Sequence, residues 1–492
     1  MDVPPFEHDE ATLAGIGQQM ASGALTARGL TEAYLSRIEA LDPTLRSLLE
    51  TNPEALASAE ELDDERASGH VRGPLHGIPA LVKDNIDTAE PMTTTVGSFA
   101  LGERPPARDA FVVQRLRTAG AVILGKTNLS EWANFRSTRS SSGWSARGGQ
   151  CRNPYVLDRN PCGSSSGSGV AVSANLCAVA IGTETDGSIV CPSSVNGIVG
   201  IKPTVGLVSR SGLVPISHTQ DTPGPMARTV ADAAALLSVL AGPDSRDAAT
   251  AEAPRIGSSI DSDGLRRARV GVARNLAGFH DRTDLAFEEA LAAMRDAGAE
   301  VIDPLEVPHA TELEDPELQV LLFEFKADLE TYLVQRAGPH RTLTDLIAFN
   351  IANADREMPF FGQELFEQAA EKGGLEDPAY LAALATCGRL SREEGLDVAF
   401  AQDVDAVVAP TSGPAWTTDH ANGDHDVGGN STPAAVAGYP SITVPMGSMF
   451  GLPVGISFIG PAWSEPTLIR LASGFEHVSA HRRPPAFLDT LA

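Results

Sequence analysis

Two turns rich in glycine and serine hold the residues of this chain with the most chemistry to offer. The first is Asn160-Pro161-Cys162-Gly163-Ser164-Ser165-Ser166-Gly167-Ser168-Gly169, and the second is Gly182-Thr183-Glu184-Thr185-Asp186-Gly187-Ser188-Ile189-Val190-Cys191-Pro192. Serine hydroxyls are potential nucleophiles. Glycine takes the positive-φ and close-approach conformations that let backbone N–H groups crowd around an anion. Such a loop can form an oxyanion hole for acyl transfer. A phosphate cradle would need a lysine after the last glycine, or a strand leading into G-x-G-x-x-G, and the chain has neither. Gly163 to Gly167 spells G-x-S-x-G, the nucleophile elbow, which requires an apolar strand running into it. The preceding Tyr155-Val156-Leu157-Asp158-Arg159-Asn160-Pro161-Cys162 is polar and proline-bearing instead. A flexible Gly/Ser linker is the remaining plain reading. It fits poorly, because Val170 to Cys177 follows as a small-residue buried helix and Ala178 to Ile181 as a buried strand.

The pattern Gly163-Ser164-Ser165-Ser166-Gly167 with Ser188 downstream resembles the amidase signature family, serine hydrolases of carboxamides that use a Ser-Ser-Lys triad. Gly77-Ile78-Pro79-Ala80-Leu81-Val82-Lys83-Asp84-Asn85-Ile86 is similar to the family's lysine motif and places Lys83 at the end of an apolar strand. Gly200 to Thr204, Gly224 to Arg228 and the block from Pro410 to Gly455 extend the resemblance from about Leu25 to Arg483. Pro410 to Trp416 and Ala462 to Pro466 look most like the bacterial peptide amidases, which remove the C-terminal amide of peptides.

The resemblance implies Ser188 as nucleophile, Ser164 as proton relay after a cis Gly163–Ser164 bond, and Lys83 as base. It also implies that the N–H groups of Thr185, Asp186, Gly187 and Ser188 are oxyanion donors. Several positions depart from the family pattern. Glu184 stands for the usual Asp, Val190 for the usual Arg, Asp186 for a Gly, and Cys162 where a Gly is common. The alternatives within the family are the glutaminase subunit of a tRNA-dependent amidotransferase and an amidase for small aliphatic or aryl amides. A lysine can act as base only when neutral, so lowering its pKa from about 10.4 to about 8 takes roughly 3 kcal/mol of differential environment. Burial on an apolar strand beside no fixed carboxylate would supply it, and Asp84, next along the strand, points to the other face.

The elements that must position these residues alternate helix and strand, the mark of a sheet covered by helices. The expectation is one large α/β domain over residues 1–492, with a mixed, mostly buried sheet and helices on both faces. Helical periodicity runs over Ala11 to Met20, Thr26 to Leu41, Pro53 to Ala67, Arg108 to Ala119, Thr229 to Leu240 and Leu285 to Ala297. Strands are expected at Ala121 to Thr127, Gly206 to Val208, Arg269 to Ala273, Glu300 to Ile302, Ala406 to Ala409 and Ser441 to Val444. A turn region should end at Pro223-Gly224-Pro225. Approximately 318–401 reads as a helical insert forming a substrate-side cap. Phe323 within it, and Trp416 beyond it, are candidate substrate anchors. The loop Phe135 to Asn153 and the segment Pro414 to Asn430 are expected to wall the leaving-group side.

A formal charge of −27, from 64 acids against 37 bases, repels nucleic acid and anionic membrane surfaces. The expected partner is a small-molecule or peptide amide, with oligomeric state left open. No run approaches 18 uninterrupted apolar residues and no signal-peptide pattern opens the chain, so a cytoplasmic protein is the default, with a secreted or periplasmic mature form as the alternative. The five cysteines show no C-x-x-C pair and no zinc spacing. Neither a disulfide framework, a metal site nor a cofactor is indicated, and Cys162 and Cys191 read as small packing residues.

Overall fold

Short apolar, β-branched runs are the strongest local signal in this chain, and thirteen segments pair as strands. They are β1 (Leu48–Thr51), β2 (Pro79–Lys83), β3 (Val122–Thr127), β4 (Trp144–Ser145), β5 (Gly149–Gln150), β6 (Val179–Glu184) and β7 (Val199–Lys202). Then come β8 (Thr222–Ala227), β9 (Arg269–Ala273), β10 (Glu300–Leu305), β11 (Ala406–Pro410), β12 (Ser441–Met449) and β13 (Leu452–Ile459). A computed structural model describes residues 3–89, 91–102, 104–257 and 260–491. Eleven strands form one mixed sheet in the order β1-β3-β2-β6-β8-β7-β12-β13-β11-β9-β10, and β4 and β5 form a small separate hairpin. β2 runs parallel to both β3 and β6, while β8 is antiparallel to β6 and β7. The chain is a single large α/β domain with helices flanking the sheet, as the alternation predicts.

Three features differ from the sequence expectation. Thr222 to Ala227 is a central strand although it holds Pro223 and Pro225, which ordinarily argue against one. β7 pairs only with its last two residues, Met226 and Ala227, so the prolines fall where that ladder is not made. Gly206 to Val208, expected as a strand, makes only an isolated bridge between Val205 and Val208. Cys162 and Cys191, expected as free packing residues, form a disulfide of 2.07 Å. The two turns that carry them are distant in sequence but adjacent in space, and cysteine spacing along the chain is blind to that.

The helix Ser166–Ser173 shows how tightly the centre is packed. Its Ser/Gly sequence is poor in helix propensity, yet every residue of it is buried. Small residues are needed there, because a Cβ on Gly167 would lie 2.2 Å from the Ser47 carbonyl oxygen and 2.5 Å from that of Asn128. From residue 314 to 400 the chain is a run of helices joined by short turns, beginning with Glu314–Arg336. Leu321, Phe325 and Leu329 pack in one apolar cluster with Val96, Trp132 and Phe135 of the preceding half, which joins these helices to the same body. No helix among the described residues is long and apolar enough to cross a membrane.

Candidate active site

β2 and β6 run side by side, so the ends of both strands open onto one place. β2 delivers Lys83, fully buried, and β6 delivers Thr183, Glu184 and the turn that follows. Lys83 Nζ lies 2.8 Å from Ser164 Oγ, 2.9 Å from Thr183 Oγ1 and 3.2 Å from the Thr183 carbonyl oxygen. Its partners are thus uncharged. Burial brings the ammonium down to about 7, while Asp221 and Glu184 pull it back up. The expectation of no fixed carboxylate near Lys83 therefore needs correction. None pairs with it directly among the described residues, but two sit close enough to act through space. Asp84 does turn away, accepting from Thr95 N–H at 3.0 Å and facing Lys126 Nζ at 3.7 Å.

Ser164 follows a cis Gly163–Ser164 bond and is fully buried. The two serine turns are held against each other by the Ser165 N–H, which donates to the Ser188 carbonyl at 3.1 Å, and by the disulfide. Ser188 is 8% exposed, and its hydroxyl carries no hydrogen bond among the described residues. Gly187 has φ +72°, which turns the chain sharply just before it. The N–H groups of Asp186, Gly187 and Ser188 make no hydrogen bond among the described residues, which leaves them available to an anion. Thr185, at the head of the turn, donates its hydroxyl to Asp221 Oδ1 at 2.6 Å.

Glu184 stands beneath this turn and accepts from Ile189 N–H at 2.7 Å and Val190 N–H at 3.0 Å. It therefore supports the start of the helix Val190–Val195 by itself, without an arginine at position 190. Asp186 accepts from Thr432 Oγ1 at 2.7 Å. Trp416 lines a cavity of about 230 Å³ with Val190, Cys191, Pro414 and Ser431. Phe323 is 3% exposed and packs against Tyr380 in an apolar cluster. The two segments expected as walls meet where Asp424 accepts from Ser142 N–H at 2.8 Å, and Phe360 of the helical region stacks on His420 at 4.1 Å.

Sequence reasoning passed over Thr183, which contacts Lys83, and Gln220, Asp221 and Glu317, which lie beside Thr185 or one contact beyond it. Gln220 Nε2 donates to Glu317 Oε1 at 2.7 Å and reaches the Thr185 carbonyl at 3.4 Å. None of the four lies in a spacing that marks it. One group of metal-ligating type occurs among the described residues, His218, Glu324 and Asp328. Each imidazole nitrogen there faces its own carboxylate, Nδ1 at 2.9 Å from Asp328 and Nε2 at 3.4 Å from Glu324, which is an ion-pair arrangement.

The Amidase family model matches residues 29–469. The chain belongs to the amidase family. Native peptide amidase from Stenotrophomonas maltophilia is 53% identical, with a TM-score of 0.94 over 98% of this chain and 100% of that one. A "Probable amidase" of Arabidopsis thaliana is 43% identical over 98% of this chain and 93% of its own length. A glutamyl-tRNA(Gln) amidotransferase subunit of Salinispora tropica is 35% identical, covering 97% of this chain and 98% of that protein. This amidase is an enzyme that hydrolyses amides.

Proposed function

We propose that this amidase removes the C-terminal amide of peptides as ammonia, through an acyl-enzyme on Ser188. The observation that carries the reading is the buried lysine held at 2.8 Å from Ser164 by neutral partners alone, at the mouth of the Ser188 turn. The likeness to peptide amidase over 98% of the chain supports that substrate class.

Ser188 Oγ attacks the amide carbon and its proton passes through Ser164 to neutral Lys83. The tetrahedral oxyanion faces the N–H groups of Thr185, Asp186, Gly187 and Ser188. Collapse breaks the C–N bond, and the proton on Lys83 returns through Ser164 to the departing nitrogen, giving ammonia. Water then attacks the ester, again losing a proton to the relay, and the carboxylate product leaves with Ser188 restored. The helices of residues 318–401 are assigned as the substrate-side cap. Trp416 lines open space and is assigned to substrate contact, whereas Phe323 supports the cap from inside.

The Cys162–Cys191 bridge supports an oxidising compartment over the cytoplasmic default, since such bonds are rare in the cytosol. Similarity to the amidotransferase protein supports a second reading, glutaminase activity within a complex. Ammonia release measured across peptide amides, simple amides and glutamine separates the two. Turnover confined to glutamine overturns the first.

A further inference from the structure

The segment from Ile216 to Asp221 lies between the nucleophile turn and the long helix Glu314–Arg336, and touches both. On one side Asp221 Oδ1 accepts from Thr185 Oγ1 at 2.6 Å, three residues before Ser188. Its other oxygen accepts from the N–H groups of Ile216 at 2.8 Å and Ser217 at 3.0 Å. On the other side Gln220 donates to Glu317, and His218 lies between Glu324 and Asp328. Asp221 is 7% exposed, so its hydrogen bonds act with little competition from water.

We propose that Asp221 is a positioning residue for this reaction: it fixes the oxyanion turn through the Thr185 hydroxyl. The inference rests on the amidase mechanism above. The charged groups facing the pair are few. Lys83 meets Asp221 and Glu184. Asp221 meets Asp328 from the long helix and Arg210 from the preceding loop. Burial lifts the Asp221 carboxyl to about 6, and its hydrogen bonds oppose that rise. Above that pH its anion favours the charged form of Lys83. The cost is a smaller neutral fraction of Lys83, set against a gain in geometry, because about 1 Å of misplacement at such a turn can cost 10²-fold in rate.

The test compares Asp221→Asn and Thr185→Val with the unaltered enzyme on one peptide amide, following kcat, KM, thermal unfolding and the pH profile of kcat/KM. Asp221→Asn should lower kcat by about 10²-fold with KM near its original value. It should also move the acid limb to lower pH, because Lys83 without that anion loses its proton more readily. Thr185→Val keeps the charge and should lose kcat with the limb unmoved. If Asp221→Asn does not fold, Thr185→Val decides: full kcat there overturns the proposal. Full kcat in folded Asp221→Asn also overturns it. An unaltered chain that releases ammonia from no amide refutes the mechanism itself, and this inference with it.

Discussion

Ser188 and Lys83 differ in what their loss should do. Removing the Ser188 hydroxyl removes the covalent route, so Ser188→Ala should abolish ammonia release while leaving the thermal unfolding of the protein unchanged. Lys83→Ala removes only a proton acceptor and should reduce kcat by about 10² to 10⁴-fold. Near-normal turnover in the purified Lys83→Ala protein would sink the Ser-Ser-Lys assignment. The pH dependence follows from the same side chain. Its folded pKa is depressed to about 7 by burial, and the reactive form is the neutral one. kcat/KM in the free enzyme should therefore rise with pH through about 7 and level off above it. A profile flat from pH 5 to 9 would show that no such base is used. Ser165, whose hydroxyl donates to the Thr183 carbonyl at 3.0 Å, is occupied in the structure. A serine-directed fluorophosphonate should label Ser188, as peptide mass mapping would reveal, and label on Ser165 would revive the elbow reading.

The two serine turns are elements whose register is fixed by contacts that local sequence does not encode. The Cys162–Cys191 disulfide closes a separation of 29 residues across them, and a loop of that size contributes about 3–4 kcal/mol in the chain-entropy account. Cys162→Ser with Cys191→Ser should lower the unfolding free energy by about that amount, measured by denaturant titration. Dithiothreitol should reproduce the loss in the unaltered protein, and an unchanged midpoint would mean that the bond carries no stability. The strand bearing Lys83 and its meeting with Ser164 were legible because each proposed triad residue sits in a motif with few alternatives. β8 was hidden by its two prolines, and the disulfide by its separation. Asp221 and Gln220 lie in a Thr/Gln/Asp/Pro stretch whose composition says only turn. What such residues do is decided by what β6 places opposite them. Gly167 was seen as part of a motif, but its role is steric. Gly167→Ala would press a methyl on two backbone carbonyls and should cost about 1–3 kcal/mol or more.

At the scale of the whole molecule, the proposed substrate choice would depend on how residues 135–153, 414–430 and the helical region meet. A peptide amidase must admit a terminal CONH₂ and exclude a chain that continues past it. The leaving-group side must then be closed at the size of ammonia. Residues 135–153 and 414–430 are tied together by the Ser142 N–H donating to Asp424, which also accepts from Asn160 Nδ2 of the first serine turn, and the helical region adds Phe360 stacked on His420 and packed against Trp144. On the proposed peptide-amidase reading these three chain regions would brace one wall, and a wall braced from several sides discriminates by steric exclusion. The expected outcome is ammonia release from peptide amides with no cleavage of internal peptide bonds, a difference in kcat/KM of several powers of ten. Asp424→Ala removes two of the ties. Burial lifts that carboxyl and its hydrogen bonds oppose the rise; loss of the side chain leaves the Ser142 N–H without its acceptor and Asn160 Nδ2 with the Ser142 carbonyl alone. This variant should hydrolyse N-methyl amides that the unaltered enzyme refuses. Methylamine release equal in the two proteins would show that these segments do not form the wall.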